Sequence, residues 1–161
     1  MRAQEETVKL YEAFGETVFR ICMIHLKNQQ DAYDATQETF LKLVQSDTVF
    51  DSDEHAKAWL ITVASNTCKN VLKSFWNKKR VDDDDVLLLV SQEESQEWGS
   101  QGEVLEAVFR LPEKYKDLVY LHYYEGYSIE EIAKIMGKRS STLRSRLSKA
   151  RGLLKQYLDE E

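Results

Sequence analysis

The chain has 161 residues, 42% of them hydrophobic and 31% charged, with six Gly, one Pro and two Cys. At about 4% Gly plus Pro, against roughly 12% on average, it lacks the turn formers of an all-β or collagen-like chain, and two cysteines support no disulfide framework. A net charge of −6 disfavours a generic polyanion binder, and the longest aliphatic run, Val86–Val90, falls far short of the roughly 20 residues that span a bilayer.

The opening Met1-Arg2-Ala3-Gln4-Glu5-Glu6 lacks the apolar core of a secretory signal. A helical, cytoplasmic protein without membrane insertion is therefore expected. The charge divides unevenly. Residues 1–80 balance 11 basic against 11 acidic side chains, residues 81–102 hold seven acids and no base, and residues 103–161 hold 11 basic and 10 acidic. This predicts an all-α fold of two small helical modules, 1–80 and 103–161, joined by an acidic flexible linker at 81–102.

The first module reads as three helices. Leu10, Phe14, Val18, Ile21 and Ile24 recur at three- and four-residue steps and make one apolar face. A second helix is expected from about Asp31 to Val44, with Ala32, Ala35, Thr39, Phe40 and Leu43 inward and Asp34, Gln37, Glu38 and Lys42 outward. A polar loop follows, and its Ser and Asp residues suit the cap of the next helix. That third helix is expected from about Glu54 to Lys79. Its apolar side is Ala56, Trp59, Leu60, Val63, Thr67, Val71 and Phe75; its other side, Thr62, Asn66, Lys69, Asn70, Lys73 and Asn77, is a polar stripe.

The connector holds an Asp run (Asp82–Asp85), the apolar patch Val86–Val90 and then Ser, Gln and Glu. Charge of one sign resists collapse. Fully extended at roughly 3.3 Å per residue it reaches about 70 Å, about two turns of duplex DNA at roughly 34 Å each.

In the second module Val104, Leu105, Val108 and Phe109 make a short amphipathic helix, and a further helix opens at Pro112. Leu118, Val119, Leu121 and Tyr123 supply the apolar content of that helix. Ser128-Ile129-Glu130-Glu131 is a capping box flanked by Tyr127 and Ile132 as a hydrophobic staple. The two-turn helix it starts stops at Gly137, which accepts the left-handed conformation of a C-terminal cap. Another helix begins near Ser140 or Ser141, so the pair reads as a helix-turn-helix. Residues 132–158 hold eight basic side chains and no acid. On the last helix Leu143, Leu147, Ala150 and Leu154 form a core stripe at 100° per residue. The opposite face carries Ser141, Ser145, Ser148, Lys149 and Gly152, flanked by Arg144, Arg151 and Lys155 on one side and Arg146 on the other. Small residues let such a helix sit deep in a major groove while flanking cations reach phosphates or guanine edges.

These segments resemble a known family. Asp31-Ala32-Tyr33-Asp34-Ala35-Thr36-Gln37-Glu38-Thr39-Phe40-Leu41-Lys42 is similar to the region 2 helix of the extracytoplasmic-function (ECF) group of sigma-70 factors. Ala58-Trp59-Leu60-Ile61-Thr62-Val63-Ala64-Ser65-Asn66 resembles that group's promoter-melting segment. Leu111-Pro112-Glu113-Lys114-Tyr115 and Tyr123 to Ala133 resemble the start of region 4, and Thr142 to Arg151 its recognition helix. The resemblance implies a sigma factor that guides RNA polymerase core to promoters and helps to open them. It assigns Asp34, Gln37 and Glu38 to polymerase binding, through the β′ clamp helices, with the β flap as a further contact. It assigns Phe50, Asn66, Lys69, Asn70 and Lys73 to the minus-ten element, with a base-capture loop over Val49 to Lys57. It assigns Ser141, Thr142, Arg144, Ser145, Arg146 and Lys149 to the minus-thirty-five element. An anti-sigma factor is implied as a further partner.

No catalytic constellation is legible, and neither cofactor nor metal is expected. Cys22 and His25 are spaced like half a zinc site, but no second pair completes it; a buried Cys22 and a surface His25 are expected instead. Trp59 is assigned to the core, and Trp76 suits either core or stacking surface. Two other readings stay open: a stand-alone helix-turn-helix regulator, which leaves the first module's polar stripe unexplained, and a protein-interaction adaptor.

Overall fold

The computed structural model describes residues 2–78 and 102–159. Among them lie seven helices and no strand: α1 (Gln4–Leu26), α2 (Gln29–Gln45), α3 (Asp53–Lys78), α4 (Gly102–Arg110), α5 (Glu113–Tyr123), α6 (Ile129–Met136) and α7 (Ser140–Asp159). The chain divides into two units, with the division after Val86. The acidic linker expected at 81–102 lies outside the described residues except for Gly102, where α4 begins.

In the first unit α1 packs against both α2 and α3, which also pack on each other. Lys27 ends α1 in the left-handed conformation (φ 57°), its N–H donating to Met23 O. Asn28 then starts α2 at once, its side chain accepting from the Asp31 N–H at 2.9 Å. Asn is among the best N-caps because it satisfies an amide the helix leaves orphaned. The start expected at Asp31 was therefore late, and Asn28 was the available signal. The expected inward residues of α2 are all buried: Ala32, Ala35, Thr39, Phe40 and Leu43.

Two expectations about burial in this unit fail. His25 is 2% exposed, not at the surface. Ile21 to Leu26 are all buried, because neighbours on two sides leave the last turns of α1 no solvent face. On α3 the buried set is Ala56, Leu60, Ile61, Ala64, Ser65, Thr67 and Cys68. The buried face is turned toward Ile61, Ala64 and Cys68, leaving Trp59 and Val63 on its half-buried flank. Val71 and Phe75 line an open groove and are half-buried as well. Cys22 is buried as expected.

In the second unit α5 and α7 each pack against all the other helices, and α5 carries the longest buried run. Every residue from Tyr115 to Leu121 is buried, Lys116 and Asp117 included. Lys116 Nζ reaches Glu113 Oε1 at 3.1 Å. Burial pushes the Lys116 pKa down, and Glu113 and Asp117 oppose that shift. Tyr123, counted with the apolar content of this helix, is 49% exposed, and Tyr120 takes the inner position. Tyr123 lies beyond the buried stretch, in the last turn of α5. Pro112 stands just outside α5 as its N-cap rather than inside its first turn.

Candidate nucleic-acid interface

The helix-turn-helix is built by local chemistry. Ser128 Oγ accepts from the Glu131 N–H (3.1 Å), and Glu131 Oε1 accepts from the Ser128 N–H (3.0 Å). The Ser128 N–H, and then the Ser128 side chain, favour the ionised carboxylate and hold the Glu131 pKa below its ordinary value. Tyr127 and Ile132, the two staple residues, are both buried. Gly137 closes α6 at φ 66°, its N–H donating to Ala133 O. A Cβ there would meet nothing within 4 Å, so backbone conformation alone calls for glycine. Three residues later α7 begins.

On α7 the inner stripe is Leu143, Leu147 and Ala150, each under 5% exposed, with Leu154 half-buried. The opposite face, Ser141, Ser145, Ser148, Lys149 and Gly152, is exposed throughout. Of the expected contact residues, Arg144 is exposed too, whereas Thr142 and Arg146 are half-buried. The Arg144 guanidinium pairs with the Glu130 carboxylate of α6. Arg151 Nε donates to the Tyr123 hydroxyl, and its guanidinium lies 5.8 Å from the centre of that ring. Two cations on this flank are thus oriented by residues of preceding helices, and Glu130 and Tyr123 were not singled out from the sequence. The sequence signal for Glu130 was its place in the first turn of α6, ahead of the basic helix.

In the first unit Asn66, Lys69, Asn70 and Lys73 are exposed along α3 within about 100° of arc. The side chain of Asn77 lies outside the described residues. The loop before α3 is shorter than expected. Residues 53–57 are already helical, with Ser52 Oγ accepting from the His55 N–H at 3.1 Å, so the open segment is Ser46 to Ser52. Phe50 is half-buried, its ring centre 5.2 Å from that of His55 and 5.8 Å from that of Trp59, both edge-on. Its neighbour Val49 is 83% exposed.

The outer face of α2 presents Asp34, Gln37 and Glu38, all exposed. Tyr33 (48% exposed) and Leu41 (55%) share that face, so it is acidic and apolar together. Leu41 was missed although it follows Gln37 and Glu38 at helical spacing. Burial, with Asp34 nearby, pushes the Asp31 pKa up. Asp31 and Glu38 line a groove of about 430 Å³ whose other wall is Thr67, Asn70, Val71, Ser74 and Phe75. The two expected surfaces of this unit therefore meet at one groove. Lys42 crosses toward α3, its Nζ donating to Thr67 Oγ1 at 2.9 Å.

Among the described residues no three His, Cys, Asp or Glu side chains come together to hold a metal, and no helix is long and apolar enough to cross a membrane.

Residues 10–78 match the family model of sigma-70 region 2, and residues 101–154 match that of sigma-70 region 4. The RNA polymerase sigma factor SigV of Bacillus subtilis is 30% identical over 143 residues, covering 89% of this chain and 85% of that one. The ECF RNA polymerase sigma-E factor of Haemophilus influenzae is 30% identical over 140 residues, covering 79% of this chain and 74% of that one. The sigma factor RpoE of Bartonella quintana, solved in complex with the anti-sigma factor NepR, has the same fold. Its TM-score is 0.76 at 22% identity, over 96% of this chain and 98% of that one. This chain belongs to the sigma-70 family of RNA polymerase sigma factors, in its extracytoplasmic-function group. It is a transcription initiation factor, and the reading as a stand-alone regulator is not favoured.

Proposed function

We propose that the first unit holds RNA polymerase core and melts the minus-ten element, while the second reads the minus-thirty-five element. Asp34, Gln37 and Glu38 engage the β′ clamp helices, with Leu41 adding apolar contact. Asn66, Lys69, Asn70 and Lys73 face the minus-ten strand, where amides hydrogen-bond base edges and lysines meet phosphate. Ser46 to Ser52, with Phe50 as its inner wall, receives an extruded base. In the second unit Ser141, Arg144, Ser145 and Lys149 enter the major groove, and Thr142 and Arg146 support them at its margins. The acidic connector passes through a basic channel of the polymerase, where its charge is complementary.

One observation carries this reading. The first unit exposes two chemically different faces, the acidic, apolar face of α2 and the amide and lysine stripe of α3. A DNA-only regulator has no use for the first. In this reading nucleotide addition is the chemistry of the polymerase, and the chain works beside it in the cytoplasm. An anti-sigma factor is inferred as a further partner, as the Bartonella sigma factor has. The test is run-off transcription with core enzyme on duplex and pre-melted templates. Dependence on this chain should be strong on duplex DNA and weak on melted DNA. Tight duplex binding without core association would instead indicate a stand-alone regulator.

A further inference from the structure

The loop between α2 and α3 is gripped by a residue more than forty positions away. Arg2 precedes α1, and its side chain is only 5% exposed. Its backbone N–H donates to Val44 O at 2.9 Å. Nε donates to Leu43 O (3.1 Å), and Nη2 donates to Ser46 O (3.3 Å) and Thr48 O (2.6 Å). Nη1 pairs with Glu6 Oε1 at 2.7 Å. The guanidinium carbon lies 4.8 Å from the centre of the Phe50 ring.

Part of this is a helix cap. A cation beside the last carbonyls of α2 complements its dipole and satisfies acceptors the helix end leaves unpaired. Leu43 and Val44 would suffice for that. The contacts to Ser46, Thr48 and Phe50 run past the helix end and hold the loop itself. At the far end of the loop the Asp51 N–H donates to His55 Nδ1 at 3.1 Å. Between these two grips stands Val49, an apolar side chain 83% exposed. A loop ordered before its ligand arrives loses less freedom on binding. Arg suits this position because its planar fork donates in several directions and stacks on a ring at once, whereas Lys offers one mobile point charge.

We propose that Arg2 is a positioning residue for base capture. By pinning Ser46, Thr48 and Phe50 it holds the Val49 segment in the shape that receives the extruded minus-ten base, and so sets selectivity at that base. This rests on the assignment of Ser46 to Ser52 as the base-capture loop.

The test uses full-length chain with core polymerase, transcribing promoters substituted singly at the minus-ten and minus-thirty-five elements. Arg2→Ala and Arg2→Lys should each lower the preference ratio at the extruded minus-ten base at least about fivefold, the low end of one base contact. Ratios at the minus-thirty-five element and core affinity should not change in Arg2→Lys, even as its melting temperature falls with the hydrogen bonds it loses. An equal loss on every template would mean that Arg2 only supports the fold, and would overturn the proposal. So would a wild-type ratio in Arg2→Lys. Val49→Ser and Asn66→Ala, run alongside, separate the two levels. If they lower the minus-ten ratio and the Arg2 variants do not, the role of Arg2 falls and the loop assignment stands. If none of the four changes it, the loop assignment falls and the proposal with it.

Discussion

Arg144 and Lys149 both project from the exposed side of α7, and Arg144 is held there by an ion pair with Glu130 on the preceding helix. At 60% and 62% side-chain exposure that pair adds little stability; its effect is to narrow the directions the guanidinium takes. An oriented Arg at the start of a recognition helix suits a guanine edge, worth roughly 1–3 kcal/mol of discrimination. We expect Arg144→Ala to relax preference at one or two minus-thirty-five positions. Lys149→Ala should lower affinity for all sequences and flatten the salt dependence, as loss of a phosphate contact does. Selection from randomised upstream elements at two salt concentrations reads both, and an unchanged sequence preference in Arg144→Ala would leave α7 as an electrostatic anchor. Asn66, exposed on α3, should act later. Asn66→Ala is expected to reduce open complexes more than closed ones in permanganate footprinting, since the base contact proposed for it would arise only after unstacking. The exposure of such residues follows from helical spacing and was legible in the sequence. The partners Glu130, Tyr123 and Arg2 were not, because each contact joins residues 14 to 46 positions apart.

Element boundaries in α6 rest on three residues, and each predicts a measurable change. Gly137 holds φ 66° in open space, so Gly137→Ala brings no clash and only the cost of a left-handed backbone, about 1–2 kcal/mol. Ser128→Ala removes the N-cap and should cost about 1 kcal/mol. Thermal melts of the variants give both values. Glu131 makes the same cap depend on pH. Its carboxyl pKa is depressed by the Ser128 hydrogen bonds, so its contribution is complete above the ordinary carboxylate range and is lost as pH falls through the lowered value. The melting temperature of the wild type should therefore fall more steeply on acidification than that of Glu131→Gln, which keeps a neutral acceptor at N3. Equal slopes would show that the box carries no charge-dependent stability. Capping box, staple and glycine stop all lie within eleven consecutive residues, and that is why this element was readable from the sequence. The loop before α3 was harder: Asp51, Asp53 and Glu54 suit a loop and a helix first turn equally well, and Asp53 opens the helix.

At the scale of the molecule, the acidic and apolar face of α2 should govern attachment to the polymerase. Asp34→Lys with Glu38→Lys is expected to weaken core binding at physiological salt. Both residues are exposed, so each change should shift stability by no more than about 0.5 kcal/mol. An undiminished pull-down with core would reassign that face. Net charge alone pointed away from nucleic acid, and only its division along the chain, with eight basic residues confined to 132–158, pointed back. Helical class, the amide stripe of α3, the capped helix-turn-helix and the core stripe of α7 all follow from residues a few positions apart, and the sequence by itself determined them. Which stretches of helix lose their solvent face is another matter. Ile21 to Leu26 on α1 and Tyr115 to Leu121 on α5 are buried all round, and so His25, Lys116 and Asp117 are buried with them. Tertiary structure alone decided those burials and the grip of Arg2 on its loop, because the environment of a side chain depends on which distant residues close around it, and local spacing holds no record of them.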